Sequence, residues 1–204
     1  MWRTSETKTS VSRCRAMPSS VSCTVLRSRR CSTALGTTRI PVQVDVGFGD
    51  DIVPAPEDVT LPTLLEFSAP ALRAYPKETV IAEKFHAMVV LGMTNSRMKD
   101  FFDIAWLAEK FAFNDAPLRT AITATFARRR TSLPEGMPLA LTVEFYGDDA
   151  KQQQWKGFLR RVNLPSETLA TVVGRIANFL APFVNKTHMH RHWPCGGPWG
   201  DNLP

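Results

Sequence analysis

With 204 residues, 22% of them charged and 44% hydrophobic, the chain has room for one domain with a helical extension. No apolar run reaches membrane-spanning length and no signal-peptide apolar region is present, which argues against a membrane protein. Four cysteines without a paired framework suit the reducing cytoplasm, while a net charge of +6 would ordinarily point to a polyanionic partner.

That charge is unevenly spread. Residues 1–36 carry seven basic side chains (Arg3, Lys8, Arg13, Arg15, Arg27, Arg29 and Arg30) against the single acid Glu6, so the whole excess lies there. Cys14, Cys23 and Cys31 sit in the same stretch among many Ser and Thr, with no hydrophobic periodicity. The composition reads as a disordered basic segment outside the fold. A nucleic-acid-binding arm and a transit peptide are two readings of it. A third, preferred because the change in patterning is abrupt, is translation of another frame that joins the patterned sequence near Thr33 to Thr37.

Residues 40–50 then alternate as a strand does. Ile40, Val42, Val44, Val46 and Phe48 face one way, and Gln43, Asp45 and Gly47 the other. Gly47 and Gly49 leave room for a ligand or a neighbouring backbone. Asp45 is therefore either a metal-binding or basic group in mid-strand, or an acid on the solvated face of an edge strand. Residues 51–62 read as a Pro-rich loop, 63–67 as a short strand and 69–76 as an irregular lead into a helix.

Two consecutive helices carry the most informative pattern. Projected at about 100° per residue, Lys77–Leu91 gathers Val80, Ile81, Phe85, Met88, Val89 and Leu91 on one half, with Lys84 inside that arc. Thr79, Glu83 and His86 take the opposite face. Over residues 96–111, Phe101, Ile104, Ala105, Leu107, Ala108 and Phe111 form the apolar face, and Asp100 and Arg97 fall in the same arc. Asp103 lies with Lys99 and Lys110 on the polar side. Buried charge is costly unless paired or used, so Lys84 and Asp100 are either a structural ion pair, with Arg97 as a competing partner, or part of a site. Gly92-Met-Thr-Asn95 breaks the helices into a hairpin that brings Lys84 and Asp100 to one surface.

A third helix is capped by Asn114 or Asp115 and ends at Arg128-Arg-Arg130, read as a cationic helix terminus or as a phosphate or RNA patch. A Pro-containing linker over 133–141 precedes helices over 148–162 and 166–184. His188-Met-His-Arg-His192 and Cys195 have metal-ligand chemistry but no scaffold. Trp193 and Trp199 are expected to dock on the body.

Three of these stretches together resemble the AbiEii/AbiGii nucleotidyl transferase toxin family of bacterial abortive-infection and toxin–antitoxin pairs. They are Val42-Gln-Val-Asp-Val-Gly-Phe-Gly-Asp50, Tyr75-Pro-Lys-Glu-Thr-Val-Ile-Ala-Glu-Lys-Phe-His-Ala-Met88 and Asn95-Ser-Arg-Met-Lys-Asp-Phe-Phe-Asp103. The resemblance runs from about Thr37 to Trp199. It implies an α/β nucleotidyltransferase-like fold with an incomplete mixed sheet over 37–130, followed by a mainly α-helical part with a Pro/Gly-rich tail over 131–204. The implied activity moves a nucleoside monophosphate from a nucleoside triphosphate to an acceptor, often RNA, with tRNA 3′ ends the leading candidate. Mg²⁺ or Mn²⁺ is the implied cofactor and an antitoxin protein the implied partner. Asp45 matches the third strand carboxylate and would hold metal. Lys84 matches the helix lysine that meets the triphosphate, with Arg97 beside it, and Asp100 matches the acid of the following helix. The three residues Asp45, Lys84 and Asp100 are expected to share one cleft.

The family pattern also places a Gly-Ser turn and an Asp-x-Asp strand earlier, and residues 1–36 contain no counterpart. Two functions of different class follow: a metal-dependent nucleotidyltransferase toxin, or a non-catalytic truncated remnant that keeps a surface for its antitoxin.

Overall fold

The computed structural model describes residues 27–35, 38–46, 52–63, 66–163, 167–185 and 191–201, and its contacts divide into two units, Met1–Asp51 and Ile52–Pro204. In the first unit β1 (Arg27–Leu35) pairs antiparallel with β2 (Thr38–Val46), in a register running from Arg27 opposite Val46 to Leu35 opposite Thr38. Asp45 stands opposite Ser28. The alternation of β2 was legible in the sequence, whereas its partner was not. Residues 27–35 were expected to be structureless and form a strand instead, because strand formation depends on pairing more than on the strand's own composition. The expected continuation of β2 through residue 50 and the segment 1–26 fall outside the described residues.

The second unit begins with a two-stranded antiparallel ribbon, β3 (Glu57–Thr60) and β4 (Ala71–Ala74). Both were expected to be loop, and the strand expected over 63–67 is absent at its described residues. The ribbon is mostly exposed, so neither face needed the apolar alternation that marks a half-buried strand.

Helices α1 (Lys77–Leu91) and α2 (Met98–Lys110) follow, separated by a 3-10 turn at Gly92–Thr94. Gly92 has φ +47°, a backbone conformation that other residues rarely adopt. Next come α3 (Asp115–Arg128), the short α4 (Val143–Tyr146), α5 (Asp149–Val162) and α6 (Leu169–Val184). The Asp148 side chain caps α5 by accepting from the Lys151 N–H at 2.9 Å, and Thr168 caps α6 by accepting from Thr171 N–H at 3.1 Å. A small antiparallel sheet of β5 (Phe113–Asn114), β6 (Arg191–Trp193) and β7 (Gly200–Asp201) brings the tail back to the start of α3. The described fold is thus mixed, with helices and three small sheets.

The core of this unit is aromatic and crosses the boundary expected near residue 130. Phe85 of α1 meets Phe126 of α3 at 5.6 Å between ring centres, and Phe101 of α2 stacks on Phe145 of α4 at 5.1 Å. Phe179 of α6 touches Phe113, Trp193 and Trp199 at 5.1, 5.0 and 5.7 Å. The tail tryptophans dock as expected. Trp193 Nε1 and the Gly196 N–H both donate to the Ala108 carbonyl, at 2.7 and 3.1 Å, and so satisfy an acceptor in the last turn of α2. Among the described residues, no helix is long and apolar enough to cross a membrane.

α1 departs from its expected two-faced pattern. Thr79 and His86, placed on the polar side by projection, are buried. The helix packs α2 on one side and α3 on another, so part of its polar half is covered too. His86 Nε2 shares a hydrogen bond with Thr131 Oγ1 at 3.0 Å, and the imidazole sits edge-on to Phe126 at 5.0 Å.

Candidate functional site

The charged residues of α1 and α2 meet. Lys84 Nζ contacts Asp100 Oδ1 at 2.5 Å and Asp103 Oδ2 at 2.8 Å, and Lys99 Nζ contacts the same Asp103 oxygen at 2.6 Å. Asp100 and Asp103 are one helical turn apart, so both carboxylates can reach one ammonium. Asp103 was missed at the sequence level because projection grouped it with Lys99 on the polar side. Its three-residue spacing from Asp100 was the available signal. Burial pulls the Lys84 ammonium toward deprotonation, but the hydrogen bonds and negative charge of Asp100 and Asp103 outweigh that, and its pKa lies above the ordinary lysine value. A lysine held this way stays charged and keeps one of its three N–H groups for another acceptor.

That cluster forms one wall of a cavity of about 300 Å³, at the lower end of small-molecule sites. Tyr75, Thr79, Val80, Glu83 and Lys84 line it from α1 and the chain leading into it; Arg97 and Asp100 line it from the start of α2. Glu83 is engaged by Arg128 and Arg129 at the end of α3, so the arginine run is tied to the site rather than only terminating a helix. Arg97 is different. The competing Arg97–Asp100 pair does not form; Asp100 goes to Lys84. The exposed Arg97 guanidinium has no hydrogen bond or ion pair among the described residues. Five cations (Lys84, Arg97, Lys99, Arg128, Arg129) therefore surround three acids (Glu83, Asp100, Asp103), and the one without a partner there faces the cavity.

Such a site suits an anion rather than a cation. Its acids are already engaged by lysine or arginine, and among the described residues no group of three or more His, Cys, Asp or Glu is disposed to hold a metal ion. The pocket does not fit a metal by itself. In the tail, His192 Nδ1 pairs with Asn114 Oδ1 at 2.9 Å, and His188 and His190 lie outside the described residues. Lys84, Arg97 and Asp100 are brought together. Asp45 belongs to the other unit, its side chain falls outside what the structure describes, and its expected convergence with the other two falls outside it as well.

The family described as nucleotidyl transferase AbiEii toxin, type IV TA system, matches residues 12–175. The match thus begins well before Thr37, inside the segment whose composition suggested another reading frame. No curated protein and no solved structure matches the chain.

Proposed function

We propose, since the chain belongs to the AbiEii nucleotidyl transferase toxin family of type IV toxin–antitoxin systems, that it transfers a nucleoside monophosphate from a nucleoside triphosphate to an RNA acceptor resembling a tRNA end. The carrying observation is that Arg97, exposed and without an ion pair among the described residues, and the anchored Lys84 line the same cavity. Phosphoryl-group transfer needs positive charge fixed where negative charge develops. In this reading Arg97 and the remaining N–H of Lys84 bind the triphosphate. Asp100 and Asp103 keep Lys84 charged and in place. The family's chemistry uses a divalent metal; Asp45 is the strand acid proposed to hold Mg²⁺ or Mn²⁺ within a nucleotidyltransferase-like fold. The partner is an antitoxin protein and the setting the cytoplasm.

The test is incubation of the chain with labelled nucleoside triphosphates, Mg²⁺ and total tRNA, beside Lys84→Ala, Arg97→Ala and Asp45→Ala. Labelling should fall about 10²–10³-fold in Lys84→Ala, the scale of losing a charge-stabilising donor. A second reading has its own support. No Asp precedes Asp45 and Glu6 is the only earlier acid, so the chain would bind nucleotide and antitoxin without turnover. Equal background labelling in all four proteins would favour it.

A further inference from the structure

Lys151, at the start of α5, is only 7% exposed and makes no ion pair among the described residues. A buried ammonium without a counter-charge is among the most costly groups a core can hold, and a methionine would fill similar space without that cost. Among the described residues the ammonium has one directed partner: Nζ donates to the main-chain carbonyl of Asn95 at 3.0 Å. It also lies 5.3 Å from the centre of the Phe145 ring, which stacks on Phe101 of α2. The first contact is at the entry to α2, and the second reaches the first turn of α2 through Phe145 of α4.

Asn95 is fully buried and sits between the 3-10 turn and α2. Its N–H donates to the Gly92 carbonyl at 3.2 Å, and its side-chain Oδ1 accepts from the Arg97 N–H at 2.9 Å. The Asp100 N–H in turn donates to the Arg97 carbonyl at 2.9 Å. Asn95 Nδ2 has no partner among the described residues, so this residue is held there through its backbone and its one oxygen. Lys151 itself is well placed to act as a fixed post, because its own N–H is taken by the Asp148 cap.

We infer that Lys151 is a positioning residue: from α5 it clamps the Asn95 carbonyl and thereby fixes the α1–α2 connection that sets Arg97 and Asp100 against Lys84. The clamp stands on geometry alone, and its consequence for triphosphate binding rests on the proposed function. Charge strengthens a hydrogen bond to a carbonyl, which accounts for a lysine where an apolar side chain would be cheaper.

The experiment uses the full chain and Lys151→Met, with Lys151→Arg as the charge-conserving variant. Site-resolved amide hydrogen exchange and equilibrium binding of each of the four nucleoside triphosphates are measured on all three. In Lys151→Met, exchange at Arg97 and Asp100 should rise while α6 amides stay unchanged. Triphosphate affinity should fall roughly tenfold, as when a supporting partner of a binding group is lost, and Lys151→Arg should recover part of both. Should Lys151→Met fail to fold, Lys151→Gln carries the same two measurements. Unchanged exchange at Arg97 and Asp100 in a folded variant overturns the inference, as does equal loosening everywhere, α6 included. Loosening confined to the α2 entry in Lys151→Met, together with no triphosphate binding by the wild-type chain, upholds the clamp and overturns the proposed function instead.

Discussion

Removing the Lys84 ammonium would take a partner from two carboxylates whose side chains are 14% and 20% exposed. Lys84→Met should therefore destabilise the fold by about 1–3 kcal/mol in urea unfolding. That is below the loss typical of a fully buried pair, because both acids reach water and Asp103 keeps Lys99. Its pH dependence has a definite sign. The folded pKa of Lys84 lies above 10.5, so its contribution is complete below that value and is lost as pH rises through the higher folded one. Lys84→Met should lack this alkaline loss. His86 behaves oppositely. Burial, then the charge of Arg129 and, less strongly, Arg128, lowers its pKa below 6.5 against the opposing pull of Glu83. The unfolded chain then takes up the proton first, so stability from His86 is complete above 6.5 and falls as pH drops through the lower folded value. Acid titration of stability in wild type against His86→Gln measures the difference; parallel curves would reject it.

Among the elements, the tail shows how little sequence is needed to hold a segment once two tryptophans find a cleft. Trp193 is 3% exposed and lies against Phe179 and Trp199. A Cβ built on Gly197 would come within 2.5 Å of that ring, at a residue whose φ is +74°. Gly196 has φ +84° but open space around it. Gly197→Ala should thus cost about 1–3 kcal/mol, from backbone strain together with a displaced ring. Gly196→Ala, with strain alone, should cost less. Thermal melting of the two variants side by side checks this, and equal losses would mean that the ring moves aside freely.

For the whole molecule, the unit Ile52–Pro204 has a core of its own, with buried apolar side chains from Ile81 to Trp193. The unit Ile52–Pro204 is therefore expected to fold without residues 1–51. A fragment of residues 52–204 should melt cooperatively within a few degrees of the full chain; a large drop in calorimetry would show that the first unit stabilises the second. The same comparison bears on residues 27–46. Their strand pairing, and a family match that starts at residue 12, speak for a hairpin where composition alone suggested none.

Local signals were enough for the longer helices, though not for the short α4. Pro76 and Gly92 bound α1 at Lys77–Leu91, Asp148 caps α5 three residues from the N–H it accepts, and alternation marks β2, which carries Asp45 one residue before its described end. Charges inside an apolar arc likewise announced Lys84 and Asp100, because an amphipathic helix leaves few positions where a charge needs explaining. Tertiary structure alone decided the rest. Asp103 reaches Lys84, Glu83 takes Arg128 and Arg129, and Lys151 finds a carbonyl 56 residues away, leaving Arg97 with no such partner among the described residues. The reason is distance along the chain. A helix writes its own repeat into neighbouring residues, but which of several acids a long cation meets depends on how separate elements pack, and no local pattern encodes that.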